Sequence, residues 1–299
     1  PKALASALLE DLGEPDLSDP QVLARFISRM AKRFPARRYA LMPWDHGNGR
    51  KGLIQDHDAG HGRPGHGSMQ LNEFIEAVRQ GSRALPRGRF DLLIYYMCLM
   101  GQLDVLAATA EVADFAIASP PSLPMTGMDF TTTLALFNPA LPTDQLCREL
   151  VAKTIAHMDK TAFLNAALSA YDLSAIPEVT THLRALTEQL TALCPTQAAA
   201  ITHTIAFSSH LRDLQADLQS PQGSPWSVRA DDWLHRLSRE VPGLDPAEVN
   251  TTRAALQKLV IASGGTDGAR DAQGVGIYLP LRAGFADDGY YASTFARRS

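Results

Sequence analysis

Residues Arg89 to Met100, RFDLLIYYMCLM, are the most continuous apolar run in the chain. Read as a strand, this run hides both of its faces, and such strands belong in the middle of a parallel sheet with helices covering each side. The neighbouring segments must then supply those helices, and they do. Ser18, Asp19 and Pro20 make a capping cluster ahead of Val22, Leu23, Phe26, Ile27 and Met30 at helical spacing. LNEFIEAVRQGSRAL sets Leu71, Phe74, Ile75 and Val78 on one helical face, with Gly81 read as its close. GQLDVLAATAEVA is a further helix. After the break at Pro35, Arg38 to Trp44 reads as a buried strand, and DFAIAS (114–119) as a third. This alternation predicts an α/β fold with right-handed crossovers and a mostly parallel central sheet flanked by helices.

From about 143 to 262 the pattern is almost all helical, interrupted by the Ser/Pro/Gly-rich loop SPQGSPWS, and GVGIYLP (274–280) returns to strand. The expected division is an α/β core over 1–142, a large helical elaboration of the same domain over 143–273, and a returning strand with its tail over 274–299. With 28 Lys plus Arg against 32 Asp plus Glu, the net charge of -4 offers no basic field for nucleic acid and no polybasic patch for a membrane. No apolar run approaches the ~18 residues of a membrane span. The acidic N-terminal stretch is unlike a signal segment, which favours a cytoplasmic location; removal of a leader ahead of Pro1 would instead fit a secreted protein. Three widely spaced cysteines, Cys98, Cys147 and Cys194, exclude a disulfide framework and a Cys-rich zinc site.

In open α/β sheets the chemistry sits beyond the carboxyl ends of strands. The first strand ends in Trp44-Asp45-His46-Gly47-Asn48-Gly49 and the second in Met97-Cys98-Leu99-Met100-Gly101. A His and a Cys, each just past a buried strand, make a thiol–imidazole pair: the imidazole takes the thiol proton and the thiolate attacks a carbonyl carbon. The competing reading of Cys98 is an inert core thiol, since cysteine is among the most buried residue types. Glycine after the His lets a backbone N–H approach an oxyanion closely, and the Cys98 N–H is the second candidate donor.

These words resemble those of the clostripain-like cysteine peptidases, which have a caspase–hemoglobinase fold. The family's W-[ND]-H-G-x-G block corresponds to Trp44–Gly49, preceded by Phe34-Pro35-Ala36-Arg37-Arg38-Tyr39-Ala40-Leu41. Its D-A-C-L-M-G block corresponds to Tyr96-Met97-Cys98-Leu99-Met100-Gly101. The strand Ala113–Ser119 with its following Gly127, the YDLS word at Tyr171–Ser174 and the GxxIYxP strand at Gly274–Pro280 also correspond. The resemblance implies a cysteine endopeptidase acting on protein or peptide substrates, with His46 and Cys98 as the dyad and Gly47 with Cys98 as the oxyanion hole. It also implies a substrate pocket involving position 96, where the family's Asp is Tyr96 here, the wall beginning at Ser119, and Asp129 as the nearest substitute carboxylate. Maturation by a cut in the glycine-rich stretch would use Arg50, Lys51 or Arg63. Family members carry further strands upstream, so a separate N-terminal fragment or chain completing the sheet is expected. Calcium dependence belongs to the family, yet there is no DxDxDG loop and no calcium site is assigned; no other cofactor is expected. The loop with Asp56, His57, Asp58, His61 and His66 matches no metal-ligand spacing and reads as a polar loop. Two alternatives stand beside the peptidase: an inactive caspase-fold binding module, and a thiol amidase or acyltransferase for small molecules.

Overall fold

The computed structural model describes residues 8–56, 67–124, 128–160, 165–211, 227–281, 290 and 295. Helix α1 (Pro20–Arg33) opens as its sequence predicts: Asp19 is the N-cap, its carboxylate accepting the Gln21 N–H, with Pro20 in the first turn. Strand β1 is Ala40–Leu41, followed by the small antiparallel pair β2 (Leu53–Gln55) and β3 (Ser68–Met69). Helix α2 (Leu71–Ser82) starts with a reciprocal capping box between Gln70 and Glu73. It then runs through Gly81 instead of closing there. That glycine has a packing role: a Cβ on it would lie 2.7 Å from the Cβ of Ile27, so its absence lets α1 lie close against α2.

The apolar run supplies β4 (Phe90–Ile94), buried at every position, and is followed by α3 (Leu103–Thr109) and β5 (Ala113–Ala118). After α4 (Phe130–Leu134) and α5 (Thr143–Lys160) come β6 (Ala167–Asp172), the 32-residue α6 (Ile176–Phe207), β7 (Ser227–Arg229), α7 (Ala230–Glu240), α8 (Pro246–Leu259), β8 (Val260–Gly265) and β9 (Gly276–Tyr278).

The central sheet has the order β1-β4-β5-β6-β8. The caspase-like α/β architecture stands, and three details of the expectation are corrected. The pairs β1/β4 and β4/β5 are parallel, whereas β5/β6 and β6/β8 are antiparallel, so the sheet is mixed. The chain leaves β5 at its carboxyl end and, after α4 and α5, re-enters beside it from that same end, which makes β6 run the other way. The segment 143–262 is accordingly not all helical, since it contributes β6, β7 and the start of β8. The returning strand β9 also exists, but it pairs with β7 and not with the central sheet. Its tie to the core is the Gly276 N–H, which donates to the Gly101 carbonyl at 2.9 Å.

Alternation along β4 sends Leu93, Tyr95 and Met97 into one core with Ile27, Phe74 and Val78 from α1 and α2. Leu92, Ile94 and Tyr96 go into a second core with Leu146, Leu150 and Met158 from α5. Each such side chain withdrawn from water contributes roughly 1.5–3 kcal/mol. The sheet is therefore held from both faces, and the carboxyl ends of β1 and β4 are fixed side by side at its rim.

Candidate active site

Strands β1 and β4 pair in one register: Ala40 with Leu92, Leu41 with Leu93, and, past the ladder, Trp44 with Tyr96 as an isolated parallel bridge. Each partner is 52 positions after the other, and so is Cys98 after His46. The Tyr96 N–H donates to the Pro43 carbonyl at 3.1 Å, carrying the pairing beyond the short ladder. The expected buried strand Arg38–Trp44 is thus an edge strand of two laddered residues. Pro43 has no N–H to give, and a proline interrupts a ladder at an edge.

The loop behind His46 is a tight antiparallel turn. The Ile54 N–H donates to the His46 carbonyl (3.1 Å) and the Asn48 N–H to the Gly52 carbonyl (2.9 Å). These bonds bracket the Gly47–Leu53 pair, which leaves the N–H and carbonyl of Gly47 directed away from β2. The Asp45 carboxylate accepts the N–H groups of His46 and of Gln55 and so ties the His residue to β2. The His46 side chain is exposed. Gly47 packs on the turn that carries Cys98: a Cβ there would lie 2.6 Å from the Cys98 carbonyl oxygen and 2.8 Å from the Met97 Cβ. Only glycine permits this approach.

The turn that carries Cys98 is strained and laced to the next strand's exit. Leu99 has φ 61°, a left-handed conformation that costs a bulky residue roughly 1–3 kcal/mol. The Leu99 N–H donates to the Pro121 carbonyl (2.9 Å) and the Gly101 N–H to the Ser119 carbonyl (2.8 Å). Cys98 is half-buried, and its Sγ accepts the Leu123 N–H at 3.3 Å with the Leu123 carbonyl 3.6 Å away. The other cysteines sit elsewhere: Cys194 is exposed on α6, and burial pushes the Cys147 thiol up to about 12.

Other anticipated residues fall into different places. Tyr96 is buried, its hydroxyl donating to the Pro124 carbonyl (3.0 Å) and its ring meeting Trp44 edge-on at 6.3 Å. Trp44, the first residue of the His46 block, is 54% exposed beside it. Ser119 is fully buried, its hydroxyl donating to the Pro121 carbonyl at 2.8 Å. Asp129 caps α4 by accepting the Thr131 N–H. Lys51 is exposed, whereas Arg50 turns inward against Asp104. Arg63, Gly127, Trp226 and most of the His- and Asp-bearing loop lie outside the described residues. Among the described residues no group of three or more His, Cys, Asp or Glu is placed to hold a metal ion, and no residue is assigned to calcium. Among them, too, no helix is long and apolar enough to cross a membrane.

A Cys turn and a His turn at the carboxyl ends of adjacent parallel strands, on a helix-flanked sheet, define the class of caspase-like cysteine peptidase folds. The model of the clostripain family (Peptidase_C11) matches residues 9–232, and the chain belongs to that family. Solved structures agree on the fold. An inactive zymogen C11 protease from Parabacteroides distasonis superposes with a TM-score of 0.65 at 16% identity, covering 94% of this chain and 75% of that one. A secreted C11 cysteine protease from Bacteroides thetaiotaomicron, in complex with an irreversible peptide inhibitor, gives 0.68 at 15% identity, covering 94% and 77%. A further structure of a secreted C11 protease from the same organism gives 0.71 at 10% identity, covering 97% and 80%. No curated protein sequence matches the chain.

Proposed function

We propose that this chain is a cysteine endopeptidase in which His46 and Cys98 form the catalytic dyad. The observation that supports this most is the common register of β1 and β4, with Gly47 packed onto the Cys98 carbonyl. The Cys98 thiol passes its proton to His46 and the thiolate attacks the scissile carbonyl carbon. The resulting oxyanion is met by the N–H groups of Gly47 and Cys98, each such donor being worth ~10²-fold or more in rate. His46 then returns the proton to the leaving amine, and water hydrolyses the thioester. No third residue is required, because a thiol ionises far more readily than a hydroxyl.

The substrate is a peptide whose P1 side chain lies against the Trp44–Tyr96 side of the site. Tyr96 offers no charge there, and an unpaired buried cation costs several kcal/mol. Leu at P1 is accordingly accepted, with Asp129 the carboxylate available to a basic residue. Maturation by a cut after Lys51 or Arg63 is part of the same reading. Arg50 is the poorest of the three positions, because its side chain is drawn inward. The edge of β1, with β4 as its one neighbour among the described strands, is where a further strand from a separate segment or chain would add.

The test is a peptide library with a P1 scan, profiled with wild type, Cys98→Ala and His46→Ala. Expected are cleavage by wild type only and a preference for Arg or Lys over Leu well below ~100-fold, or 2.7 kcal/mol. Cleavage that survives Cys98→Ala refutes the assignment. A strong basic preference that disappears in Asp129→Asn moves the carboxylate to that residue. No cleavage of any peptide, with the fold intact, returns the binding-module alternative.

A further inference from the structure

The turn that carries His46 holds a second side chain aimed in the opposite direction. Arg50 points into the molecule, 12% exposed, with its guanidinium 3.9 Å from the Asp104 carboxylate, which is 5% exposed. Asp104 sits in the first turn of α3, the helix that begins five residues after Cys98. One of its oxygens accepts the Val105 N–H at 3.0 Å, and the other faces Arg50. The guanidinium also lies 3.8 Å from the ring centroid of Tyr278 on β9 and 5.6 Å from that of Tyr290. A planar cation between a carboxylate and aromatic faces is a fixed object: the ion pair sets its distance, and ring stacking sets its plane. Arg50 is four residues from His46, across a turn closed by the Asn48–Gly52 hydrogen bond, so fixing one fixes the other.

We propose that Arg50 is a positioning residue: it locks the His46 turn onto the helix that follows the nucleophile, with Asp104, Tyr278 and Tyr290 as its socket. The imidazole itself is exposed and has little packing of its own to hold it. Reaction rates are sensitive to ångström-scale misplacement of a catalytic group, so a clamp of this kind acts on rate more than on folding. It makes the C-terminal strand part of the support of the site, since Tyr278 arrives only through β9. The proposal rests on the reading of His46 and Cys98 as the reacting pair, and the experiment separates the two.

The chain's three cysteines provide the assay. Iodoacetamide labelling at neutral pH is read by peptide mass spectrometry as the rate at Cys98 relative to exposed Cys194, while buried Cys147 reports loss of structure. His46→Ala tests the dyad: an unchanged ratio there overturns that reading. With the dyad upheld, Arg50→Gln is expected to lower the Cys98/Cys194 ratio at least fivefold while Cys147 stays protected. Arg50→Lys, which keeps the charge but not the planar stack, is expected to recover part of it. If Arg50→Gln exposes Cys147, the isosteric Asp104→Asn is read by the same criterion. A Cys98 ratio at the wild-type value in a folded variant overturns the proposal, as does a loss of Cys98 reactivity that tracks Cys147 exposure in both variants.

Discussion

Gly47 is the residue on which the geometry turns. Its Cα has the Cys98 carbonyl and Met97 where a side chain would go, so Gly47→Ala forces the His46 turn away from β4. The core strands are not touched by that change. Expected is a loss of kcat of ~10²-fold or more with a small shift in melting temperature; steady-state kinetics beside a thermal melt check it, and wild-type kcat would show that the turn has slack. Asp104 shows the opposite balance. Burial raises its carboxyl pKa, with the Arg50 charge and the Val105 N–H opposing. An acid whose folded-state pKa is raised supports the fold in acid and does so less as pH climbs through the carboxyl range. At neutral pH Asp104 is therefore a stability cost, kept beside the residues that place His46. The side-by-side placement of the Cys98 and His46 turns was legible in the sequence because their flanking words are distinctive. The inward turn of Arg50 and the N–H of Leu123 were not, since each acts through a partner remote in the chain.

At the scale of elements, long apolar or strongly periodic segments could be read and short ones beside helices could not. Strands β4 and β5 announce themselves as buried runs. ALSAYD of β6 is built of small residues that also suit a helix, and VIASGG of β8 continues the periodicity of QKLVIA without a break, so both read as helical. What makes them strands is tertiary: each pairs with a strand already in the sheet. Helix α7 carries a measurable consequence. Burial alone would raise the Asp232 carboxyl pKa, but hydrogen bonds from the Ser209 N–H (2.7 Å) and hydroxyl (3.0 Å), with the charges of Arg236 and Arg229, outweigh it and hold it low. A depressed carboxyl stabilises the fold above its unfolded pKa of about 3.9 and ceases to do so as pH falls through its folded value. Asp232→Asn is expected to lower the melting temperature at pH 7 by about 2–4 °C, and the gap to wild type should narrow as pH falls through the carboxyl range. Melts across pH 2.5–7 test this, and a gap independent of pH would mean that the carboxylate's charge is immaterial.

At the scale of the molecule, the stretch proposed for maturation lies between elements that grip each other by other means. On its N-terminal side are α1 and β1; on its C-terminal side are α2, which packs on α1, and β4, which pairs with β1. Trypsin acting after Lys51 or Arg63 should thus yield two chains by denaturing mass measurement and one particle of unchanged size by native gel filtration. Separation of the fragments would show that the β1/β4 and α1/α2 contacts are too weak to hold the site. The same register has a broader corollary. Because the His46 and Cys98 turns are set side by side by the pairing of β1 with β4 and not by the length of chain joining them, the spacing of 52 is incidental. Closing a longer loop costs little, about 0.6 kcal/mol for each doubling of its length. On the proposed dyad, residues added, removed or exchanged for another protease's recognition site between Asp56 and Gly67 are expected to leave the β1/β4 register, and with it the His46 and Cys98 turns, in place. A peptidase switched on by a chosen second enzyme could be built there without redesigning the site.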